Sequence, residues 1–263
     1  IEPEETINTV MPMPDDESSW GDLNVMFATA SGNVRRNNLS DFTNIKRNGK
    51  IAMKMQDGDE LVGVIPCSDD DDVLMATRNG KAIRFAANAV RVFLGRGSTG
   101  VRGIRLLGED RVVSMSIIAD PENEFILSVT ENGYGKRTPI KDYRRSGRGG
   151  QGVANIEISP RNGQVMASFT VVEEDQLMLV TNQGQIIRIR VHGGEGDSIR
   201  IASRKTLGVR LFDVADDNDE KVVSAGLIHE SDDEEEDQDD AISEGSDDEV
   251  TPTSSGEEIE AEA

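Results

Sequence analysis

Short runs in which apolar and polar residues alternate recur along most of the chain. Glycine, asparagine and aspartate, which favour turns, separate these runs. Alternation with a period of two over such short lengths is typical of half-buried β-strands, and no segment of consequence repeats its apolar positions with the period of a helix. The pattern therefore predicts an all-β fold.

The clearest hairpin signal lies within residues 73–106, where Asn79 and Gly80 separate two apolar runs. Asn-Gly between alternating runs predicts a type I′ turn, because that turn needs positive φ at both central residues. The same hairpin glycine recurs in three further places: Gly32, Gly133 and Gly184.

A second glycine closes each repeat and precedes a short apolar segment that is predicted to be a strand. The period is about 50 residues, which is typical of propeller blades or solenoid arrays. A single blade cannot bury both of its faces, so neighbouring blades must stack. The segments are IAMKM after Gly49, VRGIRL after Gly100, VANIEI after Gly152 and VRLF after Gly208.

The repeats divide residues 1–229 into predicted blades at about 3–55, 56–106, 107–159 and 160–212. Residues 213–229 repeat only the opening of a blade, and their strand is expected to stay unpaired locally and to close the ring with the other end of the array. Outside 73–106, strands are predicted at 6–11, 23–29, 33–36, 51–55, 61–65, 112–117, 124–130, 135–138, 165–172, 176–181, 186–190 and 222–228.

The charge is unevenly distributed. Residues 230–263 contain 17 acidic residues and no lysine or arginine. The remaining 229 residues carry 28 basic and 33 acidic residues, a net charge of −5 out of the total of −22. The acidic segment cannot bury enough apolar surface to offset its ordering entropy, so it is predicted to be a disordered tail.

Several classes of protein are excluded by what the chain lacks. The single cysteine, Cys67, permits no internal disulfide and fits a reducing compartment, most simply the cytoplasm. No apolar run approaches the roughly 20 residues of a membrane helix. The chain begins with Ile1, which indicates a fragment of a longer polypeptide. Trp20, the only tryptophan, is expected to pack in the core.

No catalytic or metal-binding constellation is found. The four aspartates at 69–72 lack the alternating ligands and distal glutamate of an EF-hand and favour a solvated loop. Two histidines and one cysteine make a zinc site implausible. The glycine-rich strings at 95–97 and 147–150 do not join a strand to a helix, which excludes a nucleotide-binding loop.

Basic residues gather at the strand ends and turns of every repeat. A circular array would bring equivalent positions to one rim, and such a positive stripe suits the regularly spaced phosphates of duplex DNA. Charged residues are also normal on exposed strands, so a protein-interaction propeller is an alternative. The candidate DNA-binding residues are Arg35, Arg36, Lys46, Arg47, Lys81, Arg84, Arg96, Arg102, Lys136, Arg137, Arg144, Arg145, Arg148, Arg188, Arg204 and Lys205.

Five strings occur in order at blade spacing: FATASGNVRRNNLSDF, GKIAMKMQDGDELVGV, TGVRGIRL, ENGYGKRTPIKDY and TNQGQIIRIRV. Together they resemble the C-terminal domain of the A subunit of bacterial DNA gyrase, which is a type IIA topoisomerase, from about residue 4 to residue 228. The resemblance implies a β-pinwheel, a propeller-like ring of four-stranded blades that exchange strands with their neighbours. It also implies that the domain wraps duplex DNA around its basic rim.

For the whole enzyme, the resemblance implies that wrapping supports ATP-dependent negative supercoiling. ATP would be bound by the B subunit, Mg²⁺ would be bound elsewhere in the holoenzyme, and the DNA-cleaving tyrosine would lie in the N-terminal part of the A subunit. This chain is therefore expected to hold no cofactor, no metal and no catalytic residue. The implied partners are duplex DNA, a second A subunit, and the B subunit, in a cytoplasmic, nucleoid-associated heterotetramer.

Two departures from the family pattern qualify the resemblance. The gyrase box Gln-Arg-Arg-Gly-Gly-Lys-Gly is absent, and the chain is expected to lack the first blade that carries it; the nearest string lies at 144–152. The insert at 192–197 lengthens a loop that the family usually keeps short. The A subunit of topoisomerase IV, which has no true box, stays an alternative, although NGYGKRT and the acidic tail favour gyrase. The tail is hypothesised to act as an intramolecular brake on wrapping.

Overall fold

The computed structural model of this chain describes residues 10–11, 13–45, 49–194, 198–214 and 219–228. All of them lie within Ile1–His229, which forms one compact unit. Within the described residues, regular structure consists of short 3₁₀ helices and β-strands, which confirms the all-β prediction. None of the helices in the described part of the chain is long and apolar enough to cross a membrane. Residues 6–9 of the strand predicted at 6–11 lie outside the described residues, as does the predicted disordered tail, and Val10 and Met11 belong to no strand.

The described strands follow the predicted runs closely. The 3₁₀ helices are Glu17–Gly21, Leu39–Phe42, Ala87–Ala89 and Ile140–Asp142. The strands are β1 (Asn24–Thr29), β2 (Asn33–Asn38), β3 (Leu61–Cys67), β4 (Asp72–Thr77), β5 (Lys81–Ala86), β6 (Val101–Arg102), β7 (Val112–Ile118), β8 (Phe125–Thr130), β9 (Tyr134–Pro139), β10 (Val153–Ala154), β11 (Val165–Val171), β12 (Gln176–Thr181), β13 (Ile186–Arg190), β14 (Val209–Arg210) and β15 (Val222–Ile228).

Strands from adjacent repeats combine into four antiparallel sheets, which we call blades 1 to 4. Their strand orders are β3-β1-β2-β6, β10-β5-β4-β7, β11-β8-β9-β14 and β13-β12-β15. Each blade is built on one hairpin and takes its inner strand from the repeat that follows. Blades 1 to 3 also take a two-residue outer strand from that repeat. The four blades form a propeller-like array with the strand exchange that the resemblance implies.

The hairpin turns differ from the predicted type. Gly80 has φ of +76°, but Asp219 is the only described residue other than glycine with positive φ, so Asn79 is not left-handed. The Gly80 N–H donates to the Thr77 carbonyl at 3.0 Å. This is a type I turn followed by a left-handed glycine, so the type I′ prediction is wrong. The Thr77 hydroxyl also accepts from the Lys81 N–H at 3.2 Å. This bond spans a connection of three residues between the strands, one more than a type I′ hairpin has.

Apolar side chains fill the spaces between blades. Inner strands β3, β7, β11 and β15 contact one another in succession. Val34 and Met75 belong to a core shared by blades 1 and 2, whereas Leu127 and Leu177 belong to one shared by blades 3 and 4. Trp20 is buried against Leu39 in a further cluster, which confirms its predicted role.

Two sequence predictions fail because strand pairing depends on a neighbouring repeat. Residues 51–55 form no strand, because the equivalent segments β6, β10 and β14 each pair with the preceding hairpin and no described hairpin precedes β1. Strand β15 is not left unpaired for the other end of the array. It pairs with β12, with Leu177 opposite Leu227, because the opening strand of each repeat completes the blade before it.

The aspartates at 69–72 do not form a wholly solvated loop. Asp72 begins strand β4 and is buried, with its carboxylate 2.7 Å from Nε of both Arg84 and Arg145. Asp69 is exposed and forms an ion pair with the buried Arg36. The solvated-loop prediction therefore fails for Asp72, because the strand carries it into the blade.

Candidate nucleic-acid interface

The loop that follows each hairpin lies along the outer strand of the preceding blade. Backbone N–H groups of Phe93, Ser146 and Ala202 donate to the carbonyls of three hairpin arginines at 2.8, 2.9 and 2.8 Å. Because the inner strands contact one another, these loops occupy the opposite, outer edge of each sheet. We call residues 91–99, 144–151 and 199–207 the outer loops.

A left-handed glycine ends each outer loop and fixes it to the blade. A Cβ atom at Gly100, Gly152 or Gly208 would lie 2.2, 2.4 or 2.7 Å from a backbone carbonyl oxygen of the preceding hairpin. Real Cβ atoms do not approach that closely, and φ at these glycines is between +74° and +83°. The repeated glycine therefore holds equivalent loops in equivalent places.

Exposed cations lie on and beside the outer loops. Arg144 and Arg148 are exposed in the second loop, and Lys205 is exposed in the third. Arg148 donates from Nε to the Ala89 carbonyl at 3.0 Å and from Nη1 to the Arg102 carbonyl at 3.2 Å. Bonds to carbonyls position a guanidinium without neutralising its charge. The arrangement leaves positively charged groups exposed on the outer edge, where anions can reach them.

Two partly buried arginines strengthen this edge. Arg96 donates from Nη1 to the Ile51 carbonyl at 2.9 Å. Arg204 donates from Nη1 to the Ala154 carbonyl at 2.8 Å and lies over the Tyr143 ring, 6.0 Å from its centroid. Both side chains bind neutral partners, so both keep their charge available at the edge. Three further exposed arginines lie close to the outer loops or on them: Arg91, Arg105 and Arg200.

A second group of arginines bonds to other parts of the protein rather than facing solvent alone. An arginine stands four residues after the hairpin glycine in every repeat, as Arg36, Arg84, Arg137 and Arg188. Arg137 is buried, donates from Nε to the Ile199 carbonyl at 2.8 Å, and has Nη1 3.6 Å from the Glu173 carboxylate. Arg188 donates from Nε to Gln176 at 2.5 Å. Arg36 and Arg137 therefore tie their hairpins to neighbouring loops, whereas Arg188 bonds within its own hairpin.

Arg35 and Lys136, one residue earlier in their repeats, are fully buried at 0% exposure. Arg35 donates from Nη1 to the Ser98 carbonyl at 2.5 Å, and Lys136 donates from Nζ to the Ser203 carbonyl. Burial lowers the pKa of Arg35, and it lowers the pKa of Lys136 to about 8. Both side chains fasten an outer loop to the blade beneath it.

The structure thus divides the candidate residues by exposure. Their positions explain the division, because residues in the middle of an outer hairpin strand are covered by the next outer loop. Lys81, Arg102, Arg144, Arg145, Arg148, Arg188 and Lys205 are exposed; Arg84, Arg96 and Arg204 are partly buried; Arg35, Arg36, Lys136 and Arg137 are buried; Lys46 and Arg47 lie outside the described residues. Location in a loop rather than in a strand separates Arg144, Arg145, Arg148 and Lys205 from the four buried residues, but it does not separate the exposed Lys81, Arg102 and Arg188, which lie in strands.

No group of three or more histidine, cysteine, aspartate or glutamate side chains in the described part of the chain could hold a metal ion. Burial raises the pKa of the Cys67 thiol to about 12, so this cysteine is not a reactive thiolate. The exposed arginine and lysine side chains make the outer edge suited to binding an anion through charge.

The sequence model of a family described as "DNA gyrase C-terminal domain, beta-propeller" matches residues 23–68, 71–119, 124–171 and 175–229. Each match spans one hairpin and the inner strand that completes its blade. The DNA gyrase A subunit of Rickettsia bellii (strain RML369-C) is 39% identical over 88% of this chain and 30% of that protein. Its counterpart in Staphylococcus aureus (strain MRSA252) is 41% identical over 93% of this chain and 26% of that protein. This chain therefore spans less than a third of the length of these relatives.

Solved structures show the same architecture. The crystal structure of the C-terminal domain of DNA topoisomerase IV has a TM-score of 0.76 and 23% identity, covering 87% of this chain and 68% of that one. The structure of a DNA gyrase A C-terminal domain has a TM-score of 0.69 and 26% identity, covering 80% of this chain and 67% of that one. The first likeness shows the fold alone, whereas the family match and the curated relatives concern gyrase. This chain belongs to the family of DNA gyrase A C-terminal domains.

Proposed function

We propose that this domain binds duplex DNA without reading its sequence and wraps it around the outer loops. The observation that carries the proposal is the repetition of one arrangement: the same backbone bonds hold successive outer loops at the same edge, and each loop presents arginine or lysine. Arginine and lysine contacts to phosphate position a duplex and carry no sequence information directly.

The proposed phosphate contacts are the accessible cations. They are Lys81, Arg96, Arg102, Arg144, Arg148, Arg204 and Lys205, with Arg145 and Arg188 beside them. Buried Arg35, Arg36, Lys136 and Arg137, together with the ion-paired Arg84, would serve DNA binding indirectly by fixing the outer loops. Lys46 and Arg47 stay a prediction from the sequence alone.

Several contacts are needed because wrapping bends the duplex. Bending 20–30 base pairs by 40–90° costs about 1–6 kcal/mol by elastic estimates. Each neutralised phosphate releases counterions, which steepens the fall of log affinity with log salt by about 0.9 per contact. A stripe that spans several blades can therefore offset the bending energy at low salt, whereas a single loop cannot.

Within the longer protein, we infer that wrapping supports ATP-dependent negative supercoiling by gyrase. The chain would then be one part of an enzyme whose ATP, Mg²⁺ and DNA-cleaving tyrosine belong to other regions. Its partners would be duplex DNA, a second A subunit, and the B subunit, in the bacterial cytoplasm. This part of the proposal rests on family membership.

A salt titration of duplex binding tests the DNA-binding proposal, read out by fluorescence anisotropy. Arg144→Glu with Arg148→Glu is expected to reduce the slope by about 2 and to weaken binding to unrelated sequences alike. The matched control is Arg111→Glu with Lys221→Glu, which changes the charge equally at the residues just before inner strands β7 and β15. The control is expected to keep the slope.

Three outcomes would contradict the proposal. A nearly flat salt dependence of the unaltered chain would favour the protein-interaction propeller, because such a module has no phosphates to neutralise. An equal loss of slope in both double variants would show that net charge, and not the outer loops, determines binding. Loss confined to one DNA sequence would contradict phosphate contact.

A further inference from the structure

One fully exposed leucine lies on the basic outer edge. Leu94, in the first outer loop, is 99% exposed, the highest value among the large hydrophobic residues in the described part of the chain. Single exposed apolar residues are common on protein surfaces and by themselves need no function. Leu94 differs from them in the firm support of its backbone and in the charge around it.

The residues on both sides of Leu94 are fastened to other parts of the protein. The Phe93 N–H donates to the Arg36 carbonyl at 2.8 Å, and the Phe93 carbonyl accepts from the buried Asn37 side chain at 2.8 Å. Two residues after Leu94, Arg96 donates from Nη1 to a backbone carbonyl at 2.9 Å. The leucine is thereby presented to solvent from a fixed place, so that binding through it costs little conformational entropy.

Cations surround this leucine. The first outer loop, residues 91–99, contains two arginines and no acidic residue. Lys54 is exposed beside this loop, and its N–H donates to a carbonyl of the loop at 3.3 Å. The nearby Asp41 carboxylate accepts from the Asn37 side chain at 3.0 Å. An apolar side chain among cations suits a polyanion that has apolar surfaces between its charges, as stacked bases between phosphates are.

We propose that Leu94 is an apolar wedge that inserts between two base pairs and kinks the duplex at blade 1. The inference rests on the proposed binding of DNA to the outer loops. Apolar wedges in DNA-bending proteins unstack a base step and kink the duplex by about 20–90°. Arg91 and Arg96, three residues before the leucine and two after it, would contact phosphates beside the opened step.

Among the described outer loops, only the first carries such a wedge. Gly147 and Ser203 occupy the equivalent position in the other two, because each follows the residue whose N–H bonds to a hairpin arginine carbonyl. Neither residue has a side chain that fills the space between separated bases. The duplex is therefore kinked at one loop, where a flexible pyrimidine–purine step such as TA is favoured. Deformability, and not contact with base edges, sets the position of the duplex on the domain.

Fluorescence of 2-aminopurine, which rises when this base is unstacked, tests the wedge on the complete 263-residue chain. The duplex, about 30 base pairs long, has one TA step whose adenine is replaced by the probe. The unaltered chain is expected to raise the fluorescence. Leu94→Ser is expected to abolish the rise, and Leu94→Met to keep it, because methionine is apolar and similarly long.

Two measurements accompany the fluorescence. Energy transfer between dyes at the duplex ends is expected to show a bend smaller by about 20° or more with Leu94→Ser. The salt slope of binding is expected to stay unchanged in that variant, because its cations are intact. Leu107→Ser is the matched control: Leu107 is 55% exposed in the turn before inner strand β7, and its replacement is expected to keep both the rise and the bend.

Four results would overturn the wedge. No rise with the unaltered chain at a steep salt slope would remove the wedge and leave DNA binding intact, whereas a flat salt dependence would contradict the proposed function and the wedge together. A rise that persists in Leu94→Ser but disappears in Ile51→Ser would assign insertion to Ile51, which is 76% exposed. Equal loss in Leu107→Ser would show that no particular leucine inserts. Reduced self-association of Leu94→Ser with no fluorescence rise in the unaltered chain would make Leu94 a protein contact.

Discussion

Replacing Lys136 with methionine distinguishes a structural lysine from a DNA-binding one. The Lys136 side chain is fully buried, and its Nζ donates to the Ser203 carbonyl of an outer loop. Burial lowers its pKa from an ordinary value of 10.5 to about 8, and the nearby charge of Arg204 acts in the same direction. Methionine is similarly long and flexible and carries no charge.

The difference between the pKa values of Lys136 in the folded and unfolded chains sets the size and sign of the expected change in the free energy of unfolding. A pKa of about 8 in the folded chain against 10.5 in the unfolded chain corresponds to about 3 kcal/mol. Between these two pH values, the unfolded chain holds a proton that the folded chain has released. The free energy of unfolding therefore rises with pH across this window, and the gain is lost as the pH falls through about 8.

Urea denaturation followed by circular dichroism between pH 7 and pH 10.5 measures this effect. Subtracting the pH profile of unfolding free energy of Lys136→Met from that of the unaltered chain cancels the contributions of titratable groups that both proteins share. The difference is expected to change by about 3 kcal/mol across the window. At pH 7, Lys136→Met is expected to be more stable by about 1–2 kcal/mol, because the loss of the Ser203 hydrogen bond offsets part of the gain.

DNA binding provides the second readout for the same variant. A lysine that only fastens an outer loop is expected to leave the salt slope of duplex binding unchanged when methionine replaces it. Parallel pH profiles for the two proteins would refute the buried-ammonium explanation. A slope reduced by about 1 would show that Lys136 itself contacts a phosphate.

Two further variants test the supports of the outer loops. Gly152→Ala is expected to destabilise the chain by about 1–3 kcal/mol, since its Cβ would lie 2.4 Å from the Ala82 carbonyl oxygen at positive φ. Gly97→Ala is the control, because Gly97 has open space around it, and equal losses of stability in urea would contradict this reasoning. Asp72→Asn is expected to lower the free energy of unfolding by about 3–5 kcal/mol in urea denaturation, because it leaves the largely buried Arg84 without its countercharge. A loss below about 1 kcal/mol would show that this pair behaves like a surface ion pair.

Local sequence pattern was enough to predict the repeat, the strand positions and the hairpin glycines. These features depend on neighbouring residues in the chain: alternation predicted β11 at 165–172 against the observed Val165–Val171, and β13 was predicted at the residues where it occurs. The repeated basic residues also predicted one edge of the blades as the DNA-binding surface, and this stays a prediction. Their location in glycine-rich loops is a local property that can be seen in the sequence.

Strand pairing and the exposure of the cations, in contrast, were set by the tertiary structure. The segment after Gly49 has the same local pattern as β6 but forms no strand, because a strand edge needs a partner from another repeat. Arg137 and Arg148 have the same charge, yet only Arg148 is exposed, because the next outer loop covers the first. Pairing and burial depend on residues distant in the chain, which local pattern does not record.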